Sequence, residues 1–261
     1  MTKIYAVVNQ KGGVGKTTSV INLSAYLASN GRKTLMVDLD PQANATSGVG
    51  FDKMASTPST YDILLEEAGI EETAVTLPEF NFDILPSNPN LSGAEVELVN
   101  AIGREYRLQK ALEEANGRYD YVLIDCPPSL SLLTINALTA AKNGVLIPVQ
   151  CEYLALEGLS QLTQTVELVQ KYLNPEITIR GLMMTMYDSR TNLSRQVVEE
   201  VRNYFPGQVF RTIVPRNIRL SEAPSFGQPI NIYSPNSPGA IAYKVLVAEI
   251  LKGDQVKETS A

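Results

Sequence analysis

Apolar residues concentrate in six short runs, at residues 4–9, 34–38, 82–86, 121–125, 144–149 and 177–186. These runs are nearly continuous and do not alternate with polar positions, which is the pattern of strands covered on both faces. Between them the apolar positions recur at steps of three and four. Leu159, Leu162, Val166, Val169 and Leu173 form the clearest such series and predict one buried helix face. Strand and helix patterns alternate along the chain. The sequence therefore predicts an α/β fold, a doubly wound, mostly parallel sheet with helices on both faces and with ligands at the carboxyl ends of its strands. Residues 50–60 read as a loop, and residues 236–251 as a closing helix with Pro238 near its first turn. A single domain spans residues 1–261, with residues 253–261 read as a frayed tail.

Composition narrows the chemistry. With 261 residues and 44% hydrophobic content the chain can bury a sizeable core. It contains no histidine, which excludes Ser-His-Asp and Cys-His nucleophiles and imidazole metal ligands. Cys126 and Cys151 lack the paired spacing of a zinc site and read as packed, reduced thiols. No apolar run is long enough to span a bilayer, and the first residues enter a strand pattern without a basic leader, so a cytoplasmic location is expected. The net charge of −6 is unevenly distributed: residues 180–219 hold seven arginines against Asp188, Glu199 and Glu200, a local +4, leaving −10 for the remainder. Such a run is commonly a solvated face; it is also the kind of local patch through which an acidic protein can hold nucleic acid.

The most specific motif is Lys11-Gly12-Gly13-Val14-Gly15-Lys16-Thr17-Thr18, between the first strand run and a helical run that ends near Asn30. Strand, glycine loop and helix occur in the order of a phosphate-binding loop. Glycines let backbone N–H groups turn inward around a polyphosphate and the helix N-terminus adds positive potential. Lys16 then neutralises the β and γ phosphates, and Thr17 is placed to ligate Mg²⁺. The usual GxxxxGK[ST] pattern requires glycine at position 10, where this chain has Gln10, and an extra lysine, Lys11, opens the loop.

KGGxGKT resembles the deviant Walker motif shared by ParA, MinD and nitrogenase iron proteins. The resemblance implies an ATP-bound homodimer in which Lys11 reaches the partner's nucleotide. Two carboxylate-bearing strands support the same reading. Asp38 and Asp40 close the run at 34–38, and by resemblance Asp40 positions the attacking water, with Asp38 nearby as a further candidate for the metal set. Asp125 ends the run at 121–125 in the Walker B form that holds Mg²⁺; alone, a strand-terminal Asp capping a turn would look identical. Pro215-Arg216-Asn217 matches the family's PRN segment, which assigns Pro215 and Asn217 to an adenine pocket on that basis only; a turn after the strand run at 209–214 has the same appearance.

The match covers nearly the whole chain, through DLDPQANATSG, DCPPSLSLLTINAL, VQCEYLALEGLSQL and PRNIRLSEAPSFGQP, and these segments are similar to the chromosomal ParA/Soj group. The ending lacks the basic amphipathic helix by which a MinD-like protein binds membrane, so no membrane contact is expected. What the resemblance implies is an ATP- and Mg²⁺-dependent switch associated with the nucleoid. Its dimer binds non-specific DNA through Arg190, Arg219 and Arg216, and a ParB-like centromere-binding protein stimulates its hydrolysis. The alternatives are a MinD-like positioning ATPase and a metabolic P-loop enzyme of the dethiobiotin synthetase type.

Overall fold

The computed structural model describes residues 2–55, 58–153 and 155–259. In chain order the strands are β1 Lys3–Val7, β2 Thr34–Asp38, β3 Val75–Leu77, β4 Phe82–Leu85, β5 Tyr121–Asp125, β6 Val145–Gln150, β7 Ile179–Tyr187 and β8 Val209–Pro215. The helices of the first half are α1 Lys16–Ser29, α2 Asn44–Gly48, α3 Thr60–Leu64, α4 Ile70–Thr73, α5 Leu91–Glu97, α6 Arg107–Glu114 and α7 Leu132–Ala140. Those of the second half are α8 Ala155–Tyr172, α9 Asn192–Tyr204, α10 Ile218–Glu222, α11 Ile230–Tyr233 and α12 Pro238–Thr259.

The strands form one sheet in the order β3-β4-β2-β5-β1-β6-β7-β8. Every pairing is parallel except that of β3 with β4. The sequence pattern missed β3, because three residues at an edge, only one of them buried, leave almost no apolar signature. The central strands show why the apolar runs are continuous. On β1, Ile4 and Ala6 face one side and Tyr5 and Val7 the other; on β5, Val122 and Ile124 oppose Tyr121 and Leu123. Helices α3 to α9 cover the first face, and α1, α2 and α10 to α12 cover the second. Both layers must be apolar when both are sealed from water.

The predicted face of α8 is buried at Leu159, Leu162, Val166 and Val169. The chain's end departs from expectation. Helix α12 does not stop at residue 251 but continues to Thr259, so residues 253–259 of the expected tail are helical; residues 260 and 261 lie outside the described residues. Asp254 is the cause: it is buried, accepts hydrogen bonds from the hydroxyls of Tyr5 (2.7 Å) and Tyr121 (3.0 Å), and pairs with Arg180 at 3.0 Å. That contact fastens the last turns of α12 to the sheet. It also withdraws Arg180 from the arginine surface read off the sequence, since its side chain is 10% exposed and committed to Asp254.

Candidate nucleotide and metal site

The site forms where β1, β2 and β5 end side by side, with Val7 in register with Asp125 and Asp38 in register with Asp125 on the other flank. From β1 the chain enters the glycine loop and then α1. Asn9 holds the loop's base by donating to the Pro148 carbonyl (2.7 Å) and accepting from the Lys11 N–H (3.0 Å). Gly13 and Gly15 have φ of 73° and 93°, in the left-handed region that a Cβ makes costly. Gly15 precedes α1 without a side-chain cap, so the first N–H groups of that helix are left for a ligand.

Lys16 is buried at the foot of the loop and its ammonium donates to the Lys11 carbonyl at 3.2 Å. Burial lowers its pKa, and the charges of Asp125, Cys126 and Asp40 act in the opposite direction. Lys11 sits exposed on the loop, and its ammonium has no partner among the described residues. Gly12 is equally open: a Cβ built there would meet nothing within 4 Å, so the fold of one chain does not demand glycine at that position.

Thr17 donates to Asp125 Oδ2 at 2.7 Å. Asp125 Oδ1 is fully buried and makes no hydrogen bond. An orphaned carboxylate oxygen beside a threonine hydroxyl, at the foot of a phosphate loop, is the donor set a hard divalent cation takes, so Thr17 and Asp125 fit magnesium. Burial, then the neighbouring charge of Asp38, pushes the Asp125 pKa well up, an energetic penalty that a bound cation relieves.

Asp38 differs. Its Oδ1 accepts from the Asp40 N–H (3.1 Å), and its Oδ2 accepts from both the N–H (2.8 Å) and the hydroxyl (2.7 Å) of Thr46. Both oxygens are occupied by their own loop, which makes Asp38 the anchor of that loop and removes it from the metal set expected from sequence. Asp40 lines the cleft with one oxygen receiving the Gln42 N–H at 2.9 Å. Ala43, at φ 54°, carries the loop into α2. Ser87 closes the arrangement by donating its hydroxyl to the Asp40 carbonyl (2.8 Å) and its N–H to the Thr46 hydroxyl (2.9 Å). Sequence reasoning missed Thr46 and Ser87. For Thr46 the only available signal was a hydroxyl eight residues after Asp38, in the first turn of a helix.

The loop, Asp40 and Pro128 bound a cleft of about 550 Å³. An adjoining pocket of about 290 Å³ shares Gly15, Thr18 and Met186 with it and is lined by Pro215, Asn217 and Tyr243. The expected base-binding segment thus opens directly off the phosphate loop. Asn217 caps α10 by accepting from the Arg219 N–H at 2.9 Å, and Tyr243 shares a hydrogen bond of 2.9 Å with Ser19 of α1. Met186, at φ 52°, is a strained residue shared by both cavities; nothing in the sequence marked it.

The three candidate DNA-contacting arginines are exposed but not free. Arg190 meets Asp188 with two nitrogens at 2.9 and 2.7 Å, Arg216 pairs with Glu152 at 3.1 Å and Arg219 with Glu222 at 2.8 Å.

With this geometry, comparison with known proteins is informative. The family model for an AAA domain matches residues 2–179. The sporulation initiation inhibitor protein Soj of Bacillus subtilis is 55% identical over 250 residues, covering 96% of this chain and 98% of that protein. The chromosome partitioning protein ParA of Myxococcus xanthus is 54% identical over 255 residues, covering 98% and 90%. The chain belongs to the Soj/ParA family of chromosome-partitioning P-loop ATPases. Among solved structures, a Mycobacterium smegmatis protein named cobyrinic acid a,c-diamide synthase, with bound ADP and magnesium, superposes with a TM-score of 0.86. It is 39% identical, with 98% of this chain and 96% of that one covered. No helix among the described residues is long and apolar enough to cross a membrane.

Proposed function

We propose that this chain is a partitioning switch that alternates between a DNA-bound ATP dimer and a free monomer, hydrolysing ATP to leave the DNA. The carrying observation is the pairing, in one cleft, of a complete phosphate loop with a buried, unpartnered Asp125 oxygen beside Thr17. Backbone N–H groups of residues 12–18 and the Lys16 ammonium hold the phosphates; Thr17 and Asp125 hold Mg²⁺, which neutralises charge on the phosphoryl oxygens. Pro215 and Asn217 form the wall for the adenine. Asp40 orients the attacking water, and the Asp38–Thr46–Ser87 hydrogen bonds keep its loop in place for that task.

Lys11 completes the site of a second copy. Its exposed ammonium, without a partner among the described residues, and the open space around Gly12 support this role. Dimerisation sets two arginine surfaces side by side, and doubling the number of phosphate contacts steeply raises non-specific DNA affinity. Arg190, Arg216 and Arg219 supply those contacts, placing the ATP form on the nucleoid, within the cytoplasm. A ParB-like centromere-binding protein accelerates hydrolysis and so releases the dimer.

DNA co-sedimentation at low salt with ATP, ADP or no nucleotide tests the reading. DNA binding in ATP alone supports it. Absence of DNA binding in every state overturns it and favours the second reading, a metabolic P-loop enzyme, the class to which the name of the Mycobacterium smegmatis structure belongs.

A further inference from the structure

One continuous stretch, residues 215–227, lines both cavities of the site. Pro215, Asn217 and Ser221 border the base pocket, and Pro224 and Ser225 border the larger phosphate cleft. Between them α10 passes without a break into a turn of 3-10 helix at Ala223–Phe226. The turn closes on itself: the Gly227 N–H donates to the Pro224 carbonyl (3.0 Å) and the Gln228 N–H to the Ala223 carbonyl (3.2 Å). Its exit is pinned to α1, where Asn22 accepts from the Ile230 N–H at 2.7 Å and donates to the Thr18 carbonyl at 2.8 Å.

The turn ends against the segment that follows Asp40, backbone to backbone. Gly227 and Gly50 have φ of 62° and 79°, and a Cβ built on Gly227 would stand 2.7 Å from the Gly50 Cα and 2.9 Å from its nitrogen. Glycine at 227 is what allows the two chains to approach so closely. Gly48, the last residue of α2, has a similar seat: a Cβ there would meet Ile21 Cδ1 of α1 at 2.7 Å and Pro224 Cβ at 3.6 Å. Helix α2 is thus held between α1 and the turn, and it carries Thr46, whose N–H and hydroxyl bind Asp38 and whose oxygen receives the Ser87 N–H. The Asp40 loop therefore has two supports. One is the set of hydrogen bonds to Asp38 at the end of β2; the other is close packing on the segment that lines the base pocket.

We infer that the turn at residues 223–227 is a positioning element for hydrolysis: a base seated against Pro215 and Asn217 sets the turn, the turn seats α2 through Gly50 and Gly48, and α2 holds the Asp40 loop. Phosphates alone fill the glycine loop and leave this second support unset. Base recognition then contributes to the rate of the chemical step and not only to affinity. This rests on the role proposed above for Asp40 and assigns the segment that makes that role depend on the base.

The test compares Gly227→Ala with Gly207→Ala. Gly207 has φ 76° but a Cβ there meets nothing within 4 Å, so the two variants share the backbone cost and differ in the collision with Gly50. Single-turnover hydrolysis at saturating ATP should fall about tenfold in Gly227→Ala, with nucleotide affinity changed by less than about twofold, and should not fall in Gly207→Ala. Pro224→Gly loosens the same turn without adding an atom; it should act in the same direction and carries the test if Gly227→Ala does not fold. Inorganic tripolyphosphate, which offers phosphates and no base, is the second probe. With both saturating, the parent should cleave ATP about tenfold faster than tripolyphosphate, and the two turn variants should narrow that ratio to about twofold. The inference is overturned if folded turn variants hydrolyse ATP at the parent rate, if Gly207→Ala is impaired equally, if the loss lies in affinity alone, or if the parent cleaves tripolyphosphate as fast as ATP. Asp40→Ala is measured alongside. If it hydrolyses ATP as the parent does, the reading beneath the inference fails and takes the inference with it; if it is impaired and the turn variants are not, the inference alone fails.

Discussion

The floor of the nucleotide cleft and the arginine surface both carry charge, and they manage it in opposite ways. In the floor, Lys16, Asp38 and Asp40 are buried and hydrogen-bonded to fixed backbone, while buried Asp125 meets the Thr17 hydroxyl with one oxygen and leaves the other without a partner. On the surface, Arg190, Arg216 and Arg219 lie in solvent, and each is matched by a carboxylate of its own chain. A buried, incompletely satisfied site is specific: a mismatched ligand leaves it worse off, and one missing group is costly. Exposed pairs are weak because solvent screens them, and they can be exchanged for phosphates at little cost, as suits a contact that must be made and released without reading sequence.

The contrast predicts unequal effects of substitution. Lys16→Ala should abolish nucleotide binding and with it ATP turnover, because one preorganised charge in a buried site is removed; fluorescent-nucleotide titration checks this. Asp40→Ala should reduce hydrolysis by about 100-fold or more while leaving ATP affinity within a few fold, since positioning of water is lost but the phosphate loop is intact; single-turnover kinetics separates the two. Arg190→Glu should weaken DNA binding by about tenfold at low salt and lower the slope of log affinity against log salt by about one, without altering turnover. Asp188→Asn, which releases Arg190 from its pair, should shift affinity the other way by only a few fold. If Arg190→Glu cut turnover as deeply as Asp40→Ala does, the two regions would not be separable. Smallest of all, Gly12→Val should leave the melting temperature of the monomer unchanged, because a Cβ there meets nothing within 4 Å; loss of ATP-dependent dimerisation by the same variant, read by sedimentation, would locate its effect in the partner.

The sequence exposed the floor more fully than the surface. A phosphate loop is local: eight consecutive residues between a strand and a helix define it, and the strands bearing Asp38 and Asp125 are sealed on both faces, so their patterns are unambiguous. Burial of charge is not local. Arg180 was counted with the surface because counting sees composition, while its partner Asp254 lies 74 residues away; the apolar run around Arg180 in β7 was the available hint. Asp38 stands as a metal candidate in the sequence only through its place beside Asp40, and the hydrogen bonds it accepts from Thr46 and from the Asp40 N–H are what set it apart from Asp125. The edge strand β3 escaped because it is short and half-solvated.

The Asp254 contact has a consequence for how the chain is made. Tyr5 belongs to an early strand, yet its hydroxyl waits for a carboxylate synthesised 249 residues later. Until that residue is added, all eight strands are present but the Arg180 guanidinium on β7 lacks the carboxylate it pairs with. A chain that stops short of position 254 therefore leaves a nearly buried guanidinium and two tyrosine hydroxyls without the acceptor that joins the first strand to the last helix.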